Sequence, residues 1–194
     1  MKTIILTIGH SRHSLDRFLA LLEGAGANMI ADVRSAPVSR FSPHFNKAGL
    51  SAALAARGIA YAFLGKELGG WPDRPELYTE GAADYEKMAA APEFRAGLGR
   101  LMQEAEQRCV AAMCSEADPL DCHRCLLVGR ALAESGTEVG HILPSGEIIA
   151  HRQVEDRLLH LANLAEPGLL LRSRDERLAE AYRLRCRKAA YRTR

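Results

Sequence analysis

The chain has 194 residues, of which 47% are hydrophobic and 26% charged, and the apolar residues are spread along almost its whole length. This predicts one substantial core and excludes a repeat or low-complexity protein. The first eight residues form too short an apolar run for a signal peptide, and no apolar stretch of about 18 residues occurs. We therefore expect a cytoplasmic protein without membrane contact, and its five cysteines favour reduced thiols over a disulfide framework.

The net charge of +2 hides an asymmetry along the chain. From Arg172 onward there are nine Lys/Arg against three Asp/Glu, so this tail carries +6 and the preceding body −4. Such a tail can contact nucleic-acid phosphates or dock on the acidic body itself. We expect an α/β domain over residues 1–151 and a helical extension over residues 152–194 that is basic from 172.

Strand and helix patterns alternate along the chain, which is typical of parallel βαβ units. Strands are predicted over residues 3–8, 29–33, 59–64, 109–113 and 139–143, with a hairpin partner over 147–150. Helices are predicted after Ser14 as N-cap, over 47–56, 85–88 and 94–107, and from about residue 122. Residues 34–45 and 65–84 are predicted to be long connections, the second carrying Trp71 as a flap. The fold class is a single α/β domain with a mostly parallel central sheet flanked by helices, plus a basic helical C-terminal tail.

The segment from Cys114 to Arg124 carries the most informative chemistry. It follows a strand that reads as buried on both faces and precedes an apolar helical pattern. Its reactive side chains therefore share one loop at the carboxyl end of a strand, where ligands bind in open α/β sheets. The other predicted strands also end in polar residues that can converge on this edge: His10 and Ser11, then Asp32, Arg34 and Ser35, then Lys66 and Glu67.

Four of these segments, in this order, resemble the bacterial and archaeal family known as domain of unknown function 488. They are Thr7–Ser11, Asp32–Pro37, Lys66–Gly70, and Met113–Glu116 with Cys122–Arg124. The likeness extends from about Met1 to His151. It implies an α/β domain with a polar pocket, and it implies no particular reaction.

Cys114 is the candidate nucleophile, with His123, Glu116 and His10 as further catalytic candidates. Cations near a thiol at a strand end favour its thiolate, so we expect Arg124, His123 and His10 to lower the pKa of Cys114, whereas Glu116 acts in the opposite direction. His123 suits proton transfer near neutrality. Each residue also has a purely structural alternative. Cys114 can be a buried thiol at the end of a strand, and His123 can be a histidine at a helix end that is hydrogen-bonded to a loop carbonyl.

An anion site is predicted at the start of the helix. If Asp121 is its N-cap, then Cys122, His123 and Arg124 occupy the first turn, where free backbone N–H groups favour an anion and a guanidinium adds two donors. Alternatively, Arg124 forms an ion pair with Glu116 or Asp32.

Other residues at the edge complete the ligand-binding set. Asp32 and Arg34 face the same side by the two-residue strand period, either as ligand-binding residues or as an ion pair that orders the pocket. The set of candidate ligand-binding residues is Ser11, Asp32, Arg34, Ser35, Cys122 and Arg124.

No metal and no cofactor are predicted. Cys114, Cys122, His123 and Cys125 are soft zinc ligands, but adjacent Cys122 and His123 on a helix would project about 100° apart. A reversible disulfide between Cys114 and Cys122 is the stronger alternative, because both lie on one loop.

Two functions from different classes fit these residues. The first is a Cys-dependent hydrolase, transferase or thiol-redox enzyme that acts on a small anionic, nucleotide-like substrate. Arg124 lies ten residues after Cys114 and no glycines line the loop, which counts against the phosphatase loop. The second is a non-catalytic module that binds a ligand in the same pocket or nucleic acid through the basic tail.

Overall fold

Eight strands are present in the computed structural model, which describes residues 4–166 and 172–193. They are β1 (Ile4–Gly9), β2 (Met29–Asp32), β3 (Ala60–Phe63), β4 (Tyr78–Thr79), β5 (Ala82–Ala83), β6 (Val110–Cys114), β7 (Glu138–Ile142) and β8 (Ile148–Ala150). Six of them form one sheet in the order β3-β2-β6-β1-β7-β8, in which only β8 is antiparallel to its neighbour. β4 and β5 form a separate antiparallel hairpin.

The helices are α1 (Leu15–Gly24), α2 (Lys47–Ala55), α3 (Gly65–Leu68), α4 (Tyr85–Ala90), α5 (Pro92–Ala105), α6 (Arg130–Glu134), α7 (His151–Leu161) and α8 (Arg174–Ala189). A π-helix over Arg124–Gly129 leads directly into α6. In the part of the chain that the structure describes, no helix is long and apolar enough to cross a bilayer.

Helices cover both faces of the sheet. On one face, Phe18 and Leu22 of α1 and Leu50 and Leu54 of α2 are fully buried against the sheet. On the other face lies a larger apolar cluster, contributed by α4, α5, the π-helix, α6, α7 and α8. Burying one such leucine contributes about 1.5–3 kcal/mol, so the two layers hold the sheet from both sides.

Strand β6 lies in the middle of the sheet and is buried along its whole length. Since successive side chains of a strand alternate, Ala111 and Met113 pack with α1 and α2, while Val110, Ala112 and Cys114 point to the opposite face. This alternation decides on which side of the sheet the Cys114 thiol lies.

The predicted α/β class with a mostly parallel sheet is confirmed. Ser14 is the N-cap of α1, its hydroxyl accepting the Arg17 N–H at 3.2 Å. The expectation of little regular structure over residues 65–84 is wrong, because this segment contains α3 and the β4–β5 hairpin.

The basic C-terminal helix packs on the body of the protein. Leu178, Ala181 and Tyr182 of α8 are buried, and α8 lies against α7. Its arginines pair with acidic residues of the preceding chain, as in Arg174–Asp156 at 2.7 Å and Arg185–Asp121. The acidic body thus neutralises part of the basic helix.

Residues 191–193 extend the β4–β5 hairpin. The Ala83 N–H donates to the Tyr191 carbonyl at 2.8 Å, and the Thr193 N–H donates to the Gly81 carbonyl at 2.9 Å. The Trp71 and Tyr191 rings lie 5.0 Å apart. The segment that precedes the hairpin is thereby joined to the residues that follow α8.

Candidate functional site

The loop after β6 has a different conformation from the predicted one. Asp118, not Asp121, caps the first turn: its side chain accepts the Leu120 N–H at 2.8 Å, and Pro119 begins a 3-10 turn that ends at Asp121. Cys122 is extended, with φ −137° and ψ 140°, and helical backbone begins only at His123. The expected first helical turn over residues 122–124, with its free N–H groups, is therefore not formed.

This loop brings two thiols to one imidazole. The Nδ1 atom of His123 lies 3.7 Å from Sγ of Cys114 and 3.8 Å from Sγ of Cys122. Nε2 of His123 lies 2.8 Å from the Val33 carbonyl, which can only accept, so Nε2 carries a proton. Nδ1 is thus left facing both sulfurs. We call Cys114, Cys122 and His123 the dithiol cluster.

The two thiols differ in acidity. Burial raises the pKa of Cys114, and the neighbouring Cys122 sulfur raises it further. Burial alone would also raise the pKa of Cys122, but a hydrogen bond from Cys114 and the positive charges of Arg124 and His123 lower it well below the ordinary value. The Arg124 backbone N–H adds a further donor to Sγ of Cys122 at 3.5 Å. The expected lowering of the Cys114 pKa is wrong, and Cys122 is the thiol of this pair whose pKa is lowered.

Proton carriers lie beside both sulfurs. Burial lowers the pKa of His123, but the charge and the hydrogen bond of Cys122 outweigh it and raise the pKa, which favours a charged imidazolium beside Cys122. Oε2 of Glu116 lies 3.2 Å from Sγ of Cys114, so this carboxyl group is a second acceptor within reach of the single S–H proton of Cys114. Packing around this carboxyl group and the charge of Cys122 raise the pKa of Glu116, although the residue itself is exposed. The cluster thus contains two thiols of different acidity and, beside them, two groups able to exchange protons.

The dithiol cluster lies beneath a backbone segment. Cys114 and Cys122 are 4% and 2% exposed, and His123 is 8% exposed. A Cβ atom at Gly70 would lie 2.8 Å from Cγ of His123, so only glycine allows this close approach. The Trp71 N–H next to it donates to Oγ of Ser35 at 2.9 Å. Among the predicted ligand-binding residues, Ser35 therefore holds this covering segment in place.

Arg124 shapes the loop. Its side chain is fully buried, with Nη1 donating to the Glu116 carbonyl at 2.5 Å and Nη2 to the Ala117 carbonyl at 3.0 Å. The alternative of an ion pair with the Glu116 or Asp32 carboxylate is not found among the described residues. Two guanidinium nitrogens donate to backbone carbonyls, and Nε is buried without a hydrogen-bond partner. Gly9 makes this packing possible, since a Cβ there would lie 1.8 Å from the Glu116 carbonyl oxygen.

Asp32 and Arg34 form a buried bidentate ion pair. Nε and Nη2 of Arg34 donate to the two carboxylate oxygens at 2.9 and 2.6 Å, and the Arg34 backbone N–H donates at 3.1 Å. The Tyr61 hydroxyl adds a fourth hydrogen bond to Asp32 at 2.7 Å. The two residues face the same side, as the strand period predicts, and the pair orders this corner of the edge.

His10 lies on the same face as this pair. Its ring stacks on Phe45 at 4.4 Å between centroids, and Nη2 of Arg34 donates to the Phe45 carbonyl at 2.9 Å. Burial lowers the pKa of His10 to about 4, so its ring is neutral. Among the described residues, Nε2 of His10 and Nη1 of Arg34 are buried atoms without a hydrogen-bond partner.

The structure brings the predicted residues to one edge of the sheet but to two faces. His10, Asp32 and Arg34 lie on the α1 and α2 face, whereas the dithiol cluster lies on the other face. Ser11, with φ 48°, joins the two strand ends, its N–H donating to the Ser115 carbonyl at 2.8 Å.

Cys122 and His123 are not neighbours on a helix, as was expected when a metal was counted out at the dithiol cluster. Cys122 is extended, and the donor atoms of Cys114, Cys122 and His123 all lie within 4.8 Å of one another. These two soft sulfurs and one imidazole nitrogen are zinc-type ligands.

Comparison with known proteins gives one result. A family model described as Domain of unknown function DUF488 matches residues 14–131. Searches of curated proteins and of solved structures found no match.

Proposed function

Because the chain belongs to the family described as Domain of unknown function DUF488, which names no activity, we propose a function from its own residues: a thiol-redox enzyme that acts on a small anionic substrate. The observation that carries this proposal is the placement of two sulfurs, one of them with a lowered pKa, around Nδ1 of a single histidine. Cys122 is the attacking thiolate, and Cys114 is the second thiol.

The reaction follows from this arrangement. The Cys122 thiolate attacks atom X of a labile X–Y bond in the substrate, where X and Y are sulfur or oxygen. Cys122 forms a bond to X, and Y leaves with the electron pair and takes a proton from His123. Cys114 gives its proton to Glu116 and attacks the Cys122 sulfur, which forms the Cys114–Cys122 disulfide and releases X, protonated by Glu116. The substrate gains two electrons, the dithiol loses two, and an external low-molecular-weight thiol reduces the disulfide for the next cycle.

The preference for an anion rests on the unpartnered atoms at the same edge. Nη1 of Arg34 is a buried donor available to an anionic oxygen. His10 donates through Nδ1 to the Ser11 carbonyl at 3.0 Å, so its neutral Nε2 accepts from an O–H group of a ligand. Burial would lower the pKa of Arg34, but the hydrogen bond to Asp32 and its charge raise it, so the guanidinium keeps its positive charge at this edge.

We do not extend the proposal to nucleic acid. The alternative of a binding module depended on a free basic tail. Several arginines of α8 instead pair with Asp121, Asp156 and Glu86, which leaves fewer of them for phosphates.

The first test measures the thiolate without any reagent. The ultraviolet thiolate absorbance of the wild-type protein is compared with that of Cys122→Ser and Cys125→Ser at neutral pH. We expect Cys122→Ser to remove it. Cys125→Ser should leave it unchanged, because burial raises the pKa of Cys125. Equal absorbance in all three proteins would refute the assignment of Cys122.

The second test addresses redox chemistry and anion preference together. Oxidation by diamide followed by peptide mapping should give the Cys114–Cys122 disulfide, and a disulfide involving Cys109 instead would contradict the proposal. Iodoacetate and iodoacetamide differ in one negative charge, so the alkylation rate with iodoacetate divided by the rate with iodoacetamide reports the preference of a thiol for an anion. We expect this ratio at Cys122 to exceed the ratio at the half-buried Cys109 by about tenfold or more, which corresponds to the free energy of one charged hydrogen bond. An equal ratio at both cysteines would remove the anionic substrate from the proposal and leave the dithiol chemistry.

A further inference from the structure

A second buried group of soft ligands lies apart from the dithiol cluster. It consists of Cys125 in the π-helix, His141 in β7 and His151 at the start of α7, whose donor atoms all lie within 4.8 Å of one another. Their exposures are 0%, 0% and 5%. The Cys125 side chain enters the group from a π-helix, and such helices are frequent at functional sites. We call these three residues the Cys-His-His cluster.

Both imidazoles are fixed by partners outside the cluster. Nδ1 of His141 lies 2.8 Å from the Thr7 hydroxyl, and Nε2 of His151 lies 2.9 Å from the Tyr182 hydroxyl. The Tyr182 hydroxyl donates onward to Glu155 at 3.3 Å, so it accepts the proton on Nε2 of His151. Metal-binding histidines characteristically use their second nitrogen in this way. The remaining nitrogens, Nε2 of His141 and Nδ1 of His151, face each other at 2.9 Å beside the thiol.

Little has to change for these atoms to bind a metal ion. In the metal-free cluster a proton lies between the two facing nitrogens. Moving the His141 proton from Nε2 to Nδ1, where the Thr7 hydroxyl accepts it, frees both lone pairs. Metal–nitrogen bonds of about 2.0 Å in a trigonal site would widen the nitrogen–nitrogen separation by roughly 0.5 Å.

The surroundings select the charge of the ion. Arg124 precedes Cys125 in the chain and donates to the Glu116 and Ala117 carbonyls, so among the described residues no carboxylate neutralises its charge. Glu155 lies 3.8 Å from Nε2 of His151, but its charge is paired with Arg174 at 3.3 Å. A divalent ion bound to one thiolate and two neutral imidazoles would leave an extra positive charge beside Arg124. A monovalent ion leaves the site neutral. One thiolate and two imidazoles in a trigonal arrangement are also donors typical of copper.

We propose that Cys125, His141 and His151 bind one Cu(I) ion, independently of the dithiol cluster. Binding replaces the Cys125 thiol proton, so one proton is released for each ion bound, and no electron is transferred.

The experiment uses the full chain with Cys114→Ser and Cys122→Ser, which removes the thiols of the other cluster. Cu(I) is titrated without oxygen in competition with bicinchoninate, and binding is read from the copper held and from the thermal shift. We expect one equivalent and a raised melting temperature. Adding Cys125→Ser should abolish both effects, and Thr7→Val should weaken binding by 10 to 100-fold, the usual effect of losing such an outer partner.

Every other outcome overturns the proposal. Binding that survives Cys125→Ser places the ion elsewhere, and binding that is absent once Cys114 and Cys122 are replaced assigns it to the dithiol cluster. Preference for Zn²⁺ over Cu(I) in the same titration contradicts the charge argument. If Cys125→Ser does not fold, X-ray absorption of the copper-loaded protein decides, since the proposal requires one sulfur and two nitrogen ligands.

Discussion

The buried ion pair between Asp32 and Arg34 gives the sharpest stability prediction. In Asp32→Asn the side chain keeps its size but loses its charge, and an amide N–H₂ replaces one acceptor of the guanidinium. Both partners are buried, with exposures of 0% and 3%, so Arg34 is left uncompensated. Breaking such a pair costs about 3–5 kcal/mol. For a chain of this length the melting temperature should fall by roughly 6–20 °C.

A surface pair with the same separation provides the control. Arg57 and Glu23 are joined at 2.6 Å, as are Arg34 and Asp32, but their side chains are about half exposed. Glu23→Gln should cost at most about 1 kcal/mol. Tyr61→Phe removes one hydrogen bond from the Asp32 carboxylate and should fall between the two, at about 1.5–3 kcal/mol. Urea unfolding followed by circular dichroism measures all three, and equal losses for Asp32→Asn and Glu23→Gln would refute the argument from burial.

Two further predictions concern Gly70 and His10. Gly70→Ala places a Cβ 2.8 Å from the His123 ring, so it should reduce the Cys122 thiolate absorbance. Gly99→Ala is the control, because a Cβ there meets nothing within 4 Å, and it should leave the absorbance unchanged. Equal absorbance in the two variants would show that His123 has room to move. The pKa of His10 is lowered by burial from 6.5 to about 4, so the unfolded chain takes up this proton first and stability is lost as the pH falls through that interval. The free energy of unfolding should fall by about 3 kcal/mol across this pH interval, and this fall should be absent in His10→Asn. Urea unfolding at several pH values measures it. The same dependence of the free energy of unfolding on pH in both proteins would contradict the prediction.

The strand ends and the Asp32–Arg34 pair could be predicted because they depend on local periodicity. Apolar runs place the strands, and the two-residue period places the pair on one side. The conformation of the loop after β6 could be predicted only by deciding whether Asp118 or Asp121 caps its first helical turn. Pro119 favours the first position of a helical turn, so Asp118 before it was the better cap, and this signal was in the sequence.

Other features could not be predicted from local patterns. Arg124 is bound to carbonyls of its own loop, which no spacing reveals, and the difference in acidity between Cys114 and Cys122 depends on three-dimensional burial. His141 and His151 have no motif around them. They meet Cys125 only because β7, α7 and the π-helix pack together on one face of the sheet.

The hairpin that residues 191–193 extend lies at the surface, which affects access to the dithiol cluster. The Thr193 hydroxyl donates to the Gly81 carbonyl, and both residues are exposed, whereas strand β6 is buried along its whole length. Gly70 and Trp71, which cover His123, are joined to this exposed region through the Tyr191 ring. Hydrogen exchange at Ala83 should therefore be faster than at Ala112 in the central strand. The same local opening gives a small molecule a route to the dithiol cluster while the sheet stays folded.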